Sequence, residues 1–288
     1  MKLFNIKTSI FVLGALLLLY SCDKKLDVPA QNSITPEQIA TAADVRATLN
    51  GSYALLQSPN AFGERYLFAA DLLADAGQIN FIGTFVDYRH LTLKTQITTN
   101  AIAAGIWGNG YTNINVVNTV LDKLDLITDA DEKDIIEGEA KFIRGMVYYY
   151  LVNFFGQPFS AGSTTTNLGV PVMLEPVYAY DSTIHKVSRS TVAQVYAQIE
   201  ADLNEAASLL PDENDEGKAN RFAAEAFLAR VYMAQGKYAE AAAAASTVIE
   251  EGPNSLGFYD AAFNNNGSGE YVFSIRQNNQ SNAGTTNN

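Results

Sequence analysis

Two strongly helical stretches, residues 221–235 and 238–251, are separated only by Gly236 and Lys237. A connection this short forces the helices to be antiparallel neighbours. Ala229 sits where the first helix must let a partner approach, and Tyr232 fills the gap against whatever stacks next. Gly236 makes the turn, Tyr238 and Ala241 open the second helix, and Pro253 closes it. The alanine run 241–245 combines high helix propensity with a surface thin enough for close contact. Such a pair buries little by itself and needs stacked neighbours, so this segment constrains the rest of the chain to more helices of the same kind.

These positions match a single tetratricopeptide repeat, a unit of about 34 residues. The expected fold is mainly α: a tetratricopeptide-like helical-repeat scaffold with loop-rich, minor β segments. The remaining periodicity agrees. Residues 35–77 predict two or three helices, starting at Thr35 and Pro36 in the cap-then-proline manner, with Val45, Leu49, Tyr53 and Leu56 on one face. Residues 100–126 carry Ile106, Ile114, Val117 and Leu121 at helical spacing. A third run begins near Asp129, passes through Ile136, Ala140, Ile143, Val147 and Leu151, and stops at Gly156-Gln157-Pro158. Ser190 is the expected cap of a helix bearing Val192, Val195, Tyr196, Ile199 and Leu203, ended by Pro211. Residues 81–99, rich in Thr and β-branched side chains, read as non-helical. Residues 170–174 and 271–275 read as short extended segments, and 212–217 as a polar turn.

The first residues have a different character. Lys2 and Lys7 precede an apolar run, residues 10–19, too short to span a bilayer comfortably, followed by Leu19-Tyr20-Ser21-Cys22. The only Cys of the chain, directly behind a small residue and such a run, is the lipobox arrangement of exported bacterial lipoproteins. The expectation is a signal peptide over 1–21, a lipidated Cys22 as mature N-terminus, and a polar tether over 22–35. Loss of Lys2 and Lys7 would make the chain two charges more negative than its −12. Several acyl chains, at ~0.8 kcal/mol per buried methylene, would hold it at a membrane by lipid rather than by charge.

Composition removes whole classes of chemistry. With 31 acidic against 19 basic residues, the chain has no excess of Lys and Arg for phosphate contacts, so no nucleic-acid partner is expected. One Cys and two His allow neither a disulfide framework nor a His/Cys metal cluster. No P-loop, Gly-x-Ser-x-Gly or His-Glu-x-x-His is present. Asp71 and Asp75 stand one helical turn apart, a spacing that suits a solvated face better than a glycosidase pair. The run 212–217 begins like a calcium loop but has Ala223 where the twelfth position needs Glu. No cofactor and no catalysis are expected.

Several ordered motifs resemble one family, the SusD/RagB outer-membrane nutrient-binding lipoproteins. They start at Cys22-Asp23, Leu26-Asp27 and Pro29, and continue with Trp107-x-x-x-Tyr111-x-x-Ile114-x-x-x-Asn118. The most specific runs from Glu139-Ala140-Lys141-Phe142-Ile143-Arg144-Gly145 through Tyr148-Tyr149 to Phe155-Gly156-Gln157-Pro158. Gly169-Val170-Pro171, Ser188-Arg189-Ser190-Thr191-Val192 and Glu270-Tyr271-Val272-Phe273-Ser274-Ile275 follow in order. The resemblance implies a helical-repeat domain over 36–288, with the C-terminal part of the family fold missing from this chain. It implies a non-catalytic lipoprotein of the outer membrane, facing the cell exterior, that captures glycans or other nutrients for a TonB-dependent (SusC-like) transporter. The alternative is a helical-repeat adaptor that docks on the transporter without binding ligand.

Four residues are candidate ligand contacts. Trp107, the only Trp, offers a face for sugar C–H groups, but its spacing to Tyr111 equally suits packing. Tyr88, Arg89 and His90 lie in the segment where the resemblance places ligand-contacting groups. There Arg can bridge hydroxyls in a fork and Tyr combines a stacking face with a polar tip; a plain surface loop is the competing reading. Tyr148, Tyr149 and Tyr150 are expected in the core, and Glu139 and Arg144 as a polar pair that stabilises the repeat.

Overall fold

The computed structural model describes residues 38–74, 77–79, 81–179, 181, 186–253 and 271–277. Among them are eight α-helices: α1 (Ala42–Gln57), α2 (Arg65–Ala74), α3 (Val86–Leu93), α4 (Ala101–Asp122), α5 (Ala130–Phe155), α6 (Val192–Leu209), α7 (Arg221–Gln235) and α8 (Tyr238–Glu251). A 3-10 turn, Leu124–Leu126, joins α4 to α5. No described helix is long and apolar enough to cross a membrane. Cys22, Thr35 and Pro36 lie outside the described residues, as does Asp75.

Helix ends follow local chemistry. Thr41 caps α1 in a reciprocal box with Asp44, and Thr191 caps α6 in the same way with Gln194. The cap of α6 is therefore one residue beyond the expected Ser190. Asn100 accepts from the amides of Ile102 and Ala103, Asp129 from Glu132, and Asn220 from Ala223. Gly236 ends α7 in the left-handed region at φ 74°, where its own amide and that of Lys237 return to the carbonyls of Met233 and Tyr232.

The helices stack in series: α1 on α4, α4 on α5, α5 on α6, α6 on α7 and α7 on α8. This nearest-neighbour pattern is that of a helical solenoid. The core is its seam. Val45 and Leu49 from α1, Ile114 and Val117 from α4, and Ile136, Ile143 and Leu151 from α5 are at most 1% exposed. So are Ile199 and Leu203 from α6 and Val231 from α7. Each such side chain contributes on the order of 1.5–3 kcal/mol by leaving water.

Residues 86–93 depart from expectation, since this stretch of the supposedly non-helical segment forms α3. Propensity is weak there, but Tyr88 and Leu91, three apart, bury against Ala69, Leu72, Ile102 and Ile106, and tertiary burial decides. Lys94 then stops the helix at φ 57°. The extended segments 170–174 and 271–275 form no strand. Pairing near the first is limited to one antiparallel bridge, Leu168 to Thr191. Side chains satisfy the backbone instead, as described below.

Glu139 and Arg144, both buried, do not pair with each other. Five residues along a helix rotate a side chain by about 140°, so the two face different neighbours. Glu139 meets Arg46 of α1 at 3.2 Å and Asn214 at 3.2 Å. Among the described residues its Oε2 accepts no hydrogen bond, and Lys218 Nζ stands 3.9 Å away. Arg144 turns to α4 and α6.

Candidate functional site

Helix α4 builds one wall of a groove of about 540 Å³. While Ile106, Asn113, Ile114 and Val117 point into the core, Trp107, Tyr111, Asn115 and Asn118 follow one another at intervals of three and four along another face. The opposite wall is the irregular segment 168–178, which runs alongside the helix. Its backbone is held by side chains in place of a strand partner. Tyr111 donates to the Pro171 carbonyl at 2.7 Å. Asn118 donates to the carbonyls of Met173 and Glu175 at 3.0 and 3.2 Å. Asn115 accepts from the Val177 amide at 2.6 Å and donates to the Val177 carbonyl at 3.2 Å. From α5, the Tyr148 hydroxyl accepts from the Met173 amide at 2.7 Å and donates to its carbonyl at 2.8 Å. Burial pushes the Tyr111 and Tyr148 phenols far up, so both remain protonated donors.

Trp107 is half-buried at the open end. Its indole packs on Tyr111 at 4.8 Å between centroids, and edge-on to Phe155 at 5.0 Å. Gly108 and Thr112, one turn apart on the exposed side of α4, leave space above the groove. Pro171, Met173, Val177 and Val187 line the far wall. Glu175 is exposed there and is the one charged residue among the described residues of the lining. Neither its carboxylate nor the Thr112 hydroxyl has a partner among the described residues. An aromatic platform, an apolar floor and a few free polar groups form the arrangement expected of a small-ligand site.

The four sequence candidates do not line one cavity. Trp107 borders the groove, whereas Tyr88, Arg89 and His90 belong to α3. Tyr88 is 9% exposed, packs against Phe68, Phe81 and Phe85, and donates its hydroxyl to Glu64. Burial, then this carboxylate, pushes its pKa up to about 12. Arg89 is exposed, with a guanidinium bond to the Gly83 carbonyl at 3.1 Å. His90 is half-buried, and its Nδ1 lacks a hydrogen-bond partner among the described residues. Asp71 is exposed on α2. No group of three His, Cys, Asp or Glu is placed to hold a metal ion among the described residues. Sequence reasoning missed Asn115, Thr112 and Glu175. Asn115 was signalled by its i+4 spacing from Tyr111; Glu175 had no local signal.

A larger cleft of about 930 Å³ lies between the turn 214–218 and segment 271–277, and most of its charges are matched, the exposed Asp215 apart. Arg276 pairs with Glu216, and Lys218 with Glu139 and Asn50.

Comparison with known proteins places this scaffold. A SusD-like family model, described as starch-binding associating with outer membrane, matches residues 23–233. SusD-like protein P2 of Formosa agariphila is 28% identical over 246 residues, which are 84% of this chain and 46% of that protein. The chain thus spans about half the length of the curated relatives it matches. A structure described as a putative sugar binding protein of Bacteroides vulgatus superposes with a TM-score of 0.72 at 27% identity, covering 88% of this chain and 57% of that one. A laminarin-binding SusD-like protein superposes with a TM-score of 0.60 at 26% identity, covering 76% and 45%. The model match covers the whole solenoid through most of α7, including the groove of α4 and segment 168–178, and on that ground the chain belongs to the SusD-like family.

Proposed function

We propose that this protein is a non-catalytic, lipid-anchored protein of the outer membrane that binds glycans at the cell surface and delivers them to a partner TonB-dependent transporter. The observation that carries this reading is the family match over residues 23–233, whose description names both starch binding and outer-membrane association. The groove beside Trp107 supports it physically, because an indole face and unpaired polar groups around an apolar floor suit a saccharide. Of the sequence candidates, Trp107 is the contact this geometry favours; on α3, Arg89 is exposed, His90 is half-buried and Tyr88 is a packing residue. Anchoring is assigned to Cys22.

Titration of the mature protein against a glycan array, followed by calorimetry on each hit, tests the reading. Saccharide binding is the expected result; its absence, with and without the transporter, defeats it. For the anchor, Cys22→Ser is expected to move the protein from the membrane fraction to the soluble one.

A second reading, an adaptor that docks on the transporter without binding ligand, has one observation in its favour. Around α2 and α3, Leu67, Ile82, Phe85, Val86, Leu93 and Ile97 are 54–90% exposed, a concentration of apolar surface typical of a protein-docking site. Co-purification with the transporter without any glycan response selects this reading.

A further inference from the structure

We infer that the groove between α4 and segment 168–178 selects uncharged oligosaccharides and rejects acidic ones, with Glu175 as the residue that sets this preference. The inference rests on the glycan-binding reading above and adds the charge class of the ligand and the place where it lies.

The groove has a chemical polarity. Trp107 supplies the stacking face at one end, with Tyr111 behind it at 4.8 Å. A pyranose ring laid on an indole presents its C–H face to the π-cloud and its hydroxyls to the rim. On that rim stand Thr112, a donor and acceptor, and Glu175, an acceptor only. The amides that would otherwise serve sugar hydroxyls, on Asn115 and Asn118, are occupied by the backbone of the opposite wall. Glu175 is therefore the strongest hydrogen-bonding group the groove has left, and it accepts from donors. Neutral hydroxyls are donors. Uronate and sulfate groups are not, and would meet a carboxylate with no Lys or Arg among the described lining residues; the nearby Arg189 guanidinium is taken up by the carbonyls of Phe155, Leu168 and Gly169. The chain as a whole adds to the repulsion, with a net charge of −12.

Glu175 is exposed and unpaired among the described residues, so its substitution changes the groove's charge without breaking a contact of the fold. The experiment uses the full chain, its Glu175→Gln and Glu175→Lys variants, and Trp107→Phe and Trp107→Ala, each checked for helicity by circular dichroism. Two sets of oligomers of equal length serve as probes: neutral glucan, mannan and xylan fragments, and oligogalacturonate, alginate and sulfated galactan fragments. Wild type is expected to bind neutral oligomers and not acidic ones. Glu175→Gln is expected to raise affinity for acidic oligomers about threefold to fivefold, and Glu175→Lys by more, the range set by a single exposed charge pair. Trp107→Ala should weaken neutral binding at least about tenfold, with Trp107→Phe intermediate.

Wild-type affinity for acidic oligomers equal to or above that for neutral ones overturns the inference. So does neutral binding that none of the four variants alters, which would leave the glycan-binding reading standing and move the site elsewhere. Binding to no glycan at all overturns both.

Discussion

Arg144 of α5 grips Asp202 of α6 as a fork, Nε to Oδ2 at 2.9 Å and Nη2 to Oδ1 at 2.7 Å, and its remaining nitrogen, Nη1, donates to Asn118 Oδ1 at 2.9 Å. The same Asn118 holds the carbonyls of Met173 and Glu175. One unbroken polar chain thus runs from the solenoid core to the wall of the groove. Arg144 is 7% and Asp202 2% exposed, and no strand backs segment 168–178. The position of Glu175 is therefore set by the scaffold through this chain.

Arg144→Met leaves a buried carboxylate with the Gln198 amide, at 3.0 Å, and the more distant charge of Lys141. A stability loss of about 3–5 kcal/mol is expected in urea unfolding. Arg144→Lys should lose much of the same, since a compact ammonium cannot reproduce the planar fork on Asp202 together with the bond to Asn118. Arg144→Met combined with Asp202→Leu should recover most of the loss, because a matched apolar pair removes the unpaired charge. A double variant no more stable than Arg144→Met would show that the packing, not the stranded charge, carries the effect.

Tyr148→Phe tests how the groove wall is held. The substitution keeps the ring in its fully buried site but removes both bonds to Met173. The Met173 carbonyl keeps Asn118 as a donor, whereas its amide loses the only acceptor described for it. The expected loss is about 1–3 kcal/mol. Limited proteolysis should cut residues 168–178 faster than in wild type, while the helices stay protected. Equal cleavage rates in the two proteins would mean that Tyr111, Asn115 and Asn118 suffice.

Legibility in the sequence tracked the range of the interaction. The ends of α7 and α8 could be read because Asn220 and Gly236 act within a few residues of themselves. The cap of α6 was misplaced by one because Ser190 and Thr191 are both good caps and only the reciprocal bond to Gln194 separates them. Helix α3 was missed because its stability comes from Tyr88 and Leu91 meeting Ile102 and Ile106, not from its own residues. In the groove, the α4 wall was visible as the stripe from Trp107 to Asn118. The facing wall comes from residues more than fifty positions later, brought back by side-chain bonds to its backbone. Glu139 and Arg144 were mispaired for the same reason, since the partner of Arg144 lies 58 positions on.

Glu139 predicts a pH dependence of definite sign. Burial pushes its carboxyl above the ordinary glutamate value, against the pull of Lys218, the Asn214 amide and Arg46. The folded state therefore holds this proton more tightly than the unfolded state does. Stability from this group is fully present below the unfolded pKa and is lost as pH rises through the folded one. Glu139→Gln cannot titrate. Wild type should thus gain stability relative to Glu139→Gln as pH falls from 7 toward 4.5, measured by urea unfolding at several pH values. Parallel stability curves, or a relative loss by wild type on acidification, would contradict the burial of Glu139 as the controlling effect.

Gly236 tests the feature that most restricts the fold, the two-residue reversal between α7 and α8. Its φ of 74° lies in the region that costs an L-residue about 1–2 kcal/mol, while a Cβ there meets nothing within 4 Å. The strain is purely conformational, so side-chain size should matter less than backbone preference. Gly236→Ala should destabilise by about 1–2 kcal/mol, and Gly236→Asn by less, because Asn tolerates the left-handed region. Both variants keep the amide that reaches the Met233 carbonyl. Thermal unfolding ranks the three proteins; Asn no better than Ala would show that the turn does not hold this geometry in solution.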